Sequence, residues 1–156
     1  MQEIERKFLI ANEEWRNATI RSMRIAQGYL CSRRVTARVR ICDDRGILTF
    51  KSKSRDGGLS RFEWESEIPR TTAERLLARC QGVIDKVRHL AEYEGHTFEI
   101  DEFGGANEGL IVAEVELSSC DEAVALPSWI GEEVTGVRCF YNSFLSKHPF
   151  CTWTKR

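Results

Sequence analysis

Apolar and polar residues alternate with a period of two along most of the chain, which is the pattern of strands with one buried face. The pattern predicts strands at residues 2–10, 23–31, 34–42, 46–53, 60–69, 83–91, 96–103 and 110–118. Turn-forming residues separate these segments, as in Asp56-Gly57-Gly58. We therefore expect a mainly β protein of the α+β class, built as an antiparallel barrel or a strongly curved sheet.

Helix signals interrupt the strands at a few places. A hydroxyl cap at Thr71 or Thr72 precedes a run of helix-forming residues, and further helices are predicted near Ser128 and over residues 138–147. Glu13-Glu14-Trp15-Arg16 predicts another short helix. These helices could cover part of the apolar face of the sheet.

Length and composition limit the number of domains, the classes of binding partner and the cellular compartment that we expect. The 156 residues contain no repeat and no long Pro/Gly/Ser linker, so we expect a single domain over residues 1–156. The 23 basic and 24 acidic residues nearly cancel, which gives no reason to expect binding to nucleic acid or to a membrane. The six cysteines form no Cys-x-x-Cys pair and follow no early apolar run, so we expect a cytoplasmic protein with reduced thiols.

Charged residues collect on one face of strand after strand. In the first strand Glu3, Glu5 and Lys7 share a face, because side chains alternate across a strand. The opposite face carries Ile4 and Phe8, together with Arg6. The same separation places further charges on one face of the later strands: Arg38 and Arg40, Lys51, Glu63 and Glu65, Lys86 and Arg88, Glu99 and Asp101, and Glu114 and Glu116.

Most of these charges are like-signed neighbours two residues apart, about 7 Å along a strand. A solvent-facing sheet surface also alternates charged and apolar residues, but it normally mixes the signs. Repulsion within such a pair is about 0.5 kcal/mol in water and about 2 kcal/mol at an effective dielectric of 20. An enclosed face of this kind needs counter-ions: divalent metals for the carboxylates and phosphate groups for the bases.

The order of these motifs resembles the CYTH superfamily, also called triphosphate tunnel metalloenzymes. Its N-terminal signature Glu-x-Glu-x-Lys is matched by residues 3–7. The other matching motifs follow in family order: Gln27-Gly28-Tyr29-Leu30, Arg38-x-Arg40, Lys51, Arg61-x-Glu63-x-Glu65, Lys86-x-Arg88, Asp101, Glu114-x-Glu116 and Glu133-Val134-Thr135.

The resemblance implies an eight-stranded antiparallel closed tunnel with a charged interior. It also implies metal-dependent hydrolysis of inorganic triphosphate with Mg²⁺ or Mn²⁺, by likeness to the short bacterial members. A thiamine triphosphatase or a class IV adenylyl cyclase remains an alternative within the family, since a fold does not fix a substrate. Outside the enzymes, a non-catalytic binding module for polyphosphate or nucleotide remains open.

The site residues follow from the same resemblance. The residues expected to bind phosphate are Lys7, Arg38, Arg40, Lys51, Lys86 and Arg88. Those expected to bind metal are Glu3, Glu5, Glu63, Glu65, Asp101, Glu114 and Glu116. Lys7 and Glu5 are catalytic candidates, together with Tyr29 as a base or a phosphate contact, unless the tyrosine only packs.

Some roles stay open at this level. Glu67 and Glu99 are either further metal ligands or salt-bridge partners. Four aromatic residues could form a platform for a nucleobase or thiamine, but core packing is preferred for each: Trp64, Trp129, Phe140 and Trp153. The apolar outer face leaves a homodimer open.

Overall fold

One antiparallel sheet forms the body of the molecule in the computed structural model, which describes residues 4–31, 35–52 and 63–153. In these ranges the sheet has nine strands, in the order β5-β4-β3-β2-β6-β7-β8-β1-β9. Their bounds are β1 Ile4–Ile10, β2 Thr19–Cys31, β3 Val35–Cys42, β4 Arg45–Ser52, β5 Glu63–Ile68, β6 Ile84–Tyr93, β7 His96–Phe103, β8 Ile111–Leu117 and β9 Ile130–Glu133.

Short helices connect or cover the strands. They are α1 Trp15–Ala18, α2 Arg70–Leu77 and α3 Asn142–Leu145, with 3₁₀ turns at Gly105–Asn107, Arg138–Phe140 and Phe150–Thr152. No helix among the described residues is long and apolar enough to cross a membrane.

All eight predicted strands are present, and the mainly β antiparallel class is confirmed. The ninth strand corrects the sequence prediction, because the region near Ser128 was expected to be helical. Instead β9 begins at Ile130 and pairs with β1, with Phe8 opposite Glu133 and Ile10 opposite Ile130. Its four residues are too few to show either a strand or a helix period.

Helical structure is present in the other three predicted regions, but its bounds and caps differ from the predictions. A hydroxyl cap was predicted at Thr71 or Thr72, but α2 begins at Arg70 with Pro69 at the N-cap and no side-chain cap. Residues 138–147 form a 3₁₀ turn and the four-residue helix α3 rather than one continuous helix. The short helix predicted from Glu13 is present as α1.

Strand pairing does not close the sheet, which corrects the closed eight-stranded barrel. Among the described residues β5 and β9 are the two edges of the sheet. The sheet nevertheless curves into a tunnel, because residues of all strands from β1 to β8 line one cavity. Most of the described charged positions predicted from alternation line this concave face.

The apolar positions pack on the convex face and at the ends of the sheet. Phe8 and Trp15 belong to a buried cluster formed by β1, β7, β8 and α1. The helix α2 packs Ala73 and Leu77 against Val39 of β3. These contacts fix the orientation of every strand, so the alternate residues must face the cavity.

Three of the four aromatic residues that were candidates for a substrate platform pack as expected. Trp129 is buried in the main cluster, and Phe140 and Trp153 meet with ring centroids 5.5 Å apart beside a second cluster. Trp64 is the exception, since 45% of it is exposed. It contacts Phe50 on the convex side and does not enter the core.

Close packing of α2 against β2 depends on Gly28. A Cβ at this position would lie 2.7 Å from both Cβ and Sγ of Cys80 and 3.2 Å from Leu77. We expect Gly28→Ala to lower the free energy of unfolding by about 1–3 kcal/mol, because the helix must move away from the strand. Urea denaturation measures this change.

Gly104→Ala is the matched control, because a Cβ there meets only the carbonyl oxygen of Asp85, at 3.7 Å. Its expected effect is below about 0.5 kcal/mol. Equal destabilisation by the two substitutions would contradict this account of α2 packing.

Candidate active site

A cavity of about 1100 Å³ occupies the concave side of the sheet. The charged side chains that line it come from seven strands and from the segment after β8. They are Lys7, Arg38, Arg40, Lys51 and Arg88, with Glu5, Glu63, Glu65, Glu99, Glu114, Glu116 and Glu122. Strand alternation therefore brings together most of the residues predicted from the sequence.

Glutamates of the lining face each other across neighbouring strands, which is electrostatically unfavourable. The register of β1 and β8 sets Glu5 opposite Glu116, and that of β7 and β8 sets Glu99 opposite Glu114. Directly opposite residues have Cβ atoms about 5 Å apart, and like charges there destabilise the sheet. Burial raises the pKa of Glu99, and the negative charges of Asp101 and Glu114 raise it further. The positive charge of Arg88 lowers this pKa but does not cancel the rise.

Ion pairs relieve part of this repulsion. Lys7 Nζ lies 2.9 Å from Glu114, and Arg88 pairs with Glu99. On the other side of the cavity Lys51 lies 3.5 Å from Glu63. These three carboxylates of the lining thus have cationic partners within the protein.

Three arginines crowd the middle of the cavity. Burial, together with the positive charges of Arg38 and Arg88, lowers the pKa of Arg40. Arg38 Nε is buried and has no hydrogen-bond acceptor among the described residues. A buried donor of this kind is costly until an acceptor reaches it, and an oxyanion would supply one.

Lys86 and Asp101 lie below the cavity wall rather than on it. Both side chains are almost completely buried, and Lys86 Nζ donates to Asp101 at 2.6 Å. Arg88 donates two hydrogen bonds to the same carboxylate, at 2.7 and 2.8 Å. Burial lowers the pKa of Lys86. Burial alone would raise the pKa of Asp101, but the two cations hold it well below its usual range.

The predicted residues thus have different places. Of the proposed phosphate ligands, all but Lys86 line the cavity. Of the proposed metal ligands, Asp101 lies beneath the wall and Glu3 lies outside the described residues. Arg61, from the motif that contains Glu63 and Glu65, also lies outside them. Glu67 pairs with Arg45 at 2.8 Å on the surface, whereas Glu99 lines the cavity.

Acids outnumber bases among the described residues of the cavity lining. These residues contain seven carboxylates and five lysine or arginine side chains. Glutamate oxygens are hard ligands that suit Mg²⁺ or Mn²⁺. Over residues 4–31, 35–52 and 63–153, no three potential ligands are already gathered around one point.

Several lining residues were not anticipated. His96 Nε2 lies 2.8 Å from Glu122, which also accepts a hydrogen bond from the Ser118 amide. From the C-terminal part of the chain, Tyr141 places its ring 4.7 Å from Lys7 Nζ, and Asn142 Oδ1 accepts from Lys86 at 3.3 Å. No local pattern marks these residues, because chain-distant packing brings them to the cavity.

The curved sheet and its charged concave face define a tunnel protein whose cavity is lined by both basic and acidic side chains. The model of the CYTH domain matches residues 1–141. The chain belongs to this family.

Two relatives share most of their length with this chain. It is 40% identical to an inorganic triphosphatase of Acetivibrio thermocellus over 152 residues, covering 96% of each protein. It is 35% identical to an inorganic triphosphatase of Nitrosomonas europaea over 150 residues, covering 94% of this chain and 97% of the relative.

Two solved structures of other proteins superpose on this fold. A crystal structure of an inorganic triphosphatase superposes with a TM-score of 0.75 at 32% identity, covering 94% of this chain and 95% of that one. A Pyrococcus horikoshii protein has a TM-score of 0.54 at 20% identity, over 77% and 80% of the two chains, and this likeness concerns the fold alone.

The buried network below the cavity should dominate stability. We expect Asp101→Asn to lower the free energy of unfolding at pH 7 by about 3–5 kcal/mol, because Lys86 and Arg88 lose a buried counter-charge. Urea unfolding across pH measures this.

The difference between the wild type and Asp101→Asn should shrink as the pH falls below about 4, the ordinary aspartate range. A carboxylate with a lowered pKa contributes stability above its unfolded pKa and loses it as the pH falls through the folded value. Glu102→Gln is the control, since the Glu102 carboxylate pairs with Arg16 and His89 on the other face of β7 and its loss should cost about 1 kcal/mol or less. A small, pH-independent effect of Asp101→Asn would show that the Asp101 carboxylate is not the buried counter-charge of Lys86 and Arg88.

Proposed function

We propose that this protein hydrolyses inorganic triphosphate with the help of Mg²⁺ or Mn²⁺. Two relatives of similar length, at 40% and 35% identity, are inorganic triphosphatases. The observation that carries the proposal is the lining of the cavity, where facing carboxylates stand beside clustered arginines and lysines. A triphosphate and divalent cations together complement both sets of charges.

The bases would hold the phosphates. Arg38, Arg40, Lys51 and Arg88 line the same cavity as Lys7. The buried Nε of Arg38 is a donor in need of an acceptor, which a phosphate oxygen provides. In phosphoryl transfer such donors stabilise the charge on the transferring group, so the same residues would serve binding and catalysis.

Lys86 has an indirect role in this proposal. Its Nζ is enclosed by Asp101 and Asn142, so it would support the wall from below rather than touch the substrate. Asp101 would likewise fix Arg88 through its two hydrogen bonds.

The carboxylates fit divalent cations. Glu5 and Glu116, and Glu99 and Glu114, are paired across strands. Glu63 and Glu65 add carboxylates on β5, and Glu3 belongs to the same motif as Glu5. A bound divalent ion would supply charge neutralisation and a more acidic water. Glu5 would orient that water for in-line attack on the terminal phosphorus, with Lys7 and Tyr29 holding the phosphate that is attacked.

An unsubstituted triphosphate fits the lining better than a nucleotide or thiamine triphosphate. The aromatic side chains among the described lining residues are Tyr29, His96 and Tyr141, and the rest of the lining is almost wholly polar. A base or thiazole ring normally binds in a more apolar pocket.

Phosphate release from inorganic triphosphate with Mg²⁺ or Mn²⁺ tests the proposal. We expect Glu5→Gln and Arg40→Ala each to lower kcat/KM by about 100-fold or more, because each removes a charge from the site. Glu67→Gln and Arg45→Ala are matched controls, since these residues pair with each other on the surface at 2.8 Å and do not line the cavity. Full activity of Glu5→Gln or Arg40→Ala would refute the proposal.

The substrate is decided by comparison of inorganic triphosphate with ATP, thiamine triphosphate and pyrophosphate. We expect the highest kcat/KM for inorganic triphosphate, and no cyclic nucleotide from ATP. A higher kcat/KM for thiamine triphosphate would identify that compound as the preferred substrate. Formation of cyclic AMP would identify the protein as an adenylyl cyclase.

A further inference from the structure

Gln27 is a buried polar residue between two side chains of the cavity. It lies on β2 with none of its surface exposed, and Arg40 is its direct partner on β3. Arg40 Nε donates to Gln27 Oε1 at 3.3 Å, and Gln27 Nε2 donates to the Tyr29 hydroxyl at 3.0 Å. One amide therefore contacts both a proposed phosphate ligand and a catalytic candidate.

The chemistry of the two neighbours fixes the orientation of this amide. A guanidinium has only donors, so the amide oxygen must face Arg40 and the amide nitrogen must face Tyr29. The Tyr29 oxygen then accepts a hydrogen bond from Gln27, and the hydroxyl proton points to a different partner. Tyr29 also lines the cavity, so this hydrogen bond fixes its phenol beside the site.

A neutral amide suits this position better than a carboxylate would. Arg40 lies near Arg38 and Arg88, and their combined charge is what attracts phosphate. An acid at position 27 would pair with Arg40 and cancel part of that charge. The amide holds Nε and so fixes the plane of the guanidinium, whose other four N–H donors lie on the terminal nitrogens.

We infer that Gln27 is a positioning residue, which holds Arg40 and the Tyr29 phenol in place for the triphosphate without neutralising the site. The inference rests on the proposed function. Gln27 does not touch the substrate and acts through its two neighbours.

Kinetics of Gln27→Met and Gln27→Glu test the inference. Methionine has a similar length but makes neither hydrogen bond, and we expect kcat/KM for triphosphate to fall about 10–100-fold, as for other supporting residues. Gln27→Glu should fall further, because its carboxylate withdraws charge from Arg40. Wild-type kcat/KM in Gln27→Met would overturn the inference, as would a Gln27→Glu variant more active than Gln27→Met.

A double-mutant cycle separates positioning from mere stabilisation. If Gln27 acts partly through Tyr29, Gln27→Met combined with Tyr29→Phe should reduce kcat/KM by less than the product of the two single reductions. Independent effects would contradict that route. Asn107→Leu is the control: Asn107 is also buried and accepts from the Phe150 amide at 2.8 Å, away from the cavity. We expect it to lower Tm but leave kcat/KM unchanged.

Failure of the proposed function can be told apart from failure of this inference. Phosphate release by the wild type tests the function alone. Calorimetric binding of inorganic triphosphate in the presence of Mn²⁺, with wild type and Gln27→Met, tests the positioning role without turnover. Weaker binding by Gln27→Met supports the inference, and equal affinity overturns it even if the wild type releases no phosphate.

Discussion

Strand pairing sets carboxylates directly opposite one another on the concave face of the sheet, Glu5 against Glu116 and Glu99 against Glu114. Two such charges about 6 Å apart repel by roughly 2–3 kcal/mol at an effective dielectric of 20. The register cannot slip to relieve them, because a shift of one residue would expose the apolar face that packs Phe8 and Val115. The hydrophobic core thus imposes an electrostatic cost, which the ion pairs of Lys7 with Glu114 and of Arg88 with Glu99 relieve in part.

The network beneath the cavity has a different purpose from the wall. Asp101 is held by Lys86 and Arg88, so these charges are already satisfied within the protein. The charges on the wall are only partly paired, and Arg38 Nε has no acceptor among the described residues. This division separates charges that are satisfied within the protein from charges that are only partly paired.

Much of this arrangement could be predicted from the sequence. Period-two alternation was enough to assign Glu5, Lys7, Arg38 and Glu114 to one face, because side-chain direction in a strand is a local property. Alternation could not distinguish Lys86 and Asp101 from the wall residues, since depth below a surface depends on the neighbouring strands and on Asn142 of α3.

The other differences have similar causes. Four residues of β9 carry too little pattern to be recognised, and its partner β1 is more than a hundred residues away in sequence. Trp64 has the alternation of a core residue but lies on β5, an edge strand, where 45% of its surface stays exposed. Glu122 and Tyr141 reach the cavity from segments outside the strands. Sequence order alone does not reveal such placements.

If the carboxylates and the bases of the cavity act as one site, as we propose, triphosphate and divalent cations bind together. Calorimetric titration of inorganic triphosphate into metal-free protein, with and without added Mn²⁺, measures this coupling. We expect strong binding with Mn²⁺ and a large loss of affinity when EDTA removes the metal. Equal affinity in the two titrations would show that the two sets of charges do not act together.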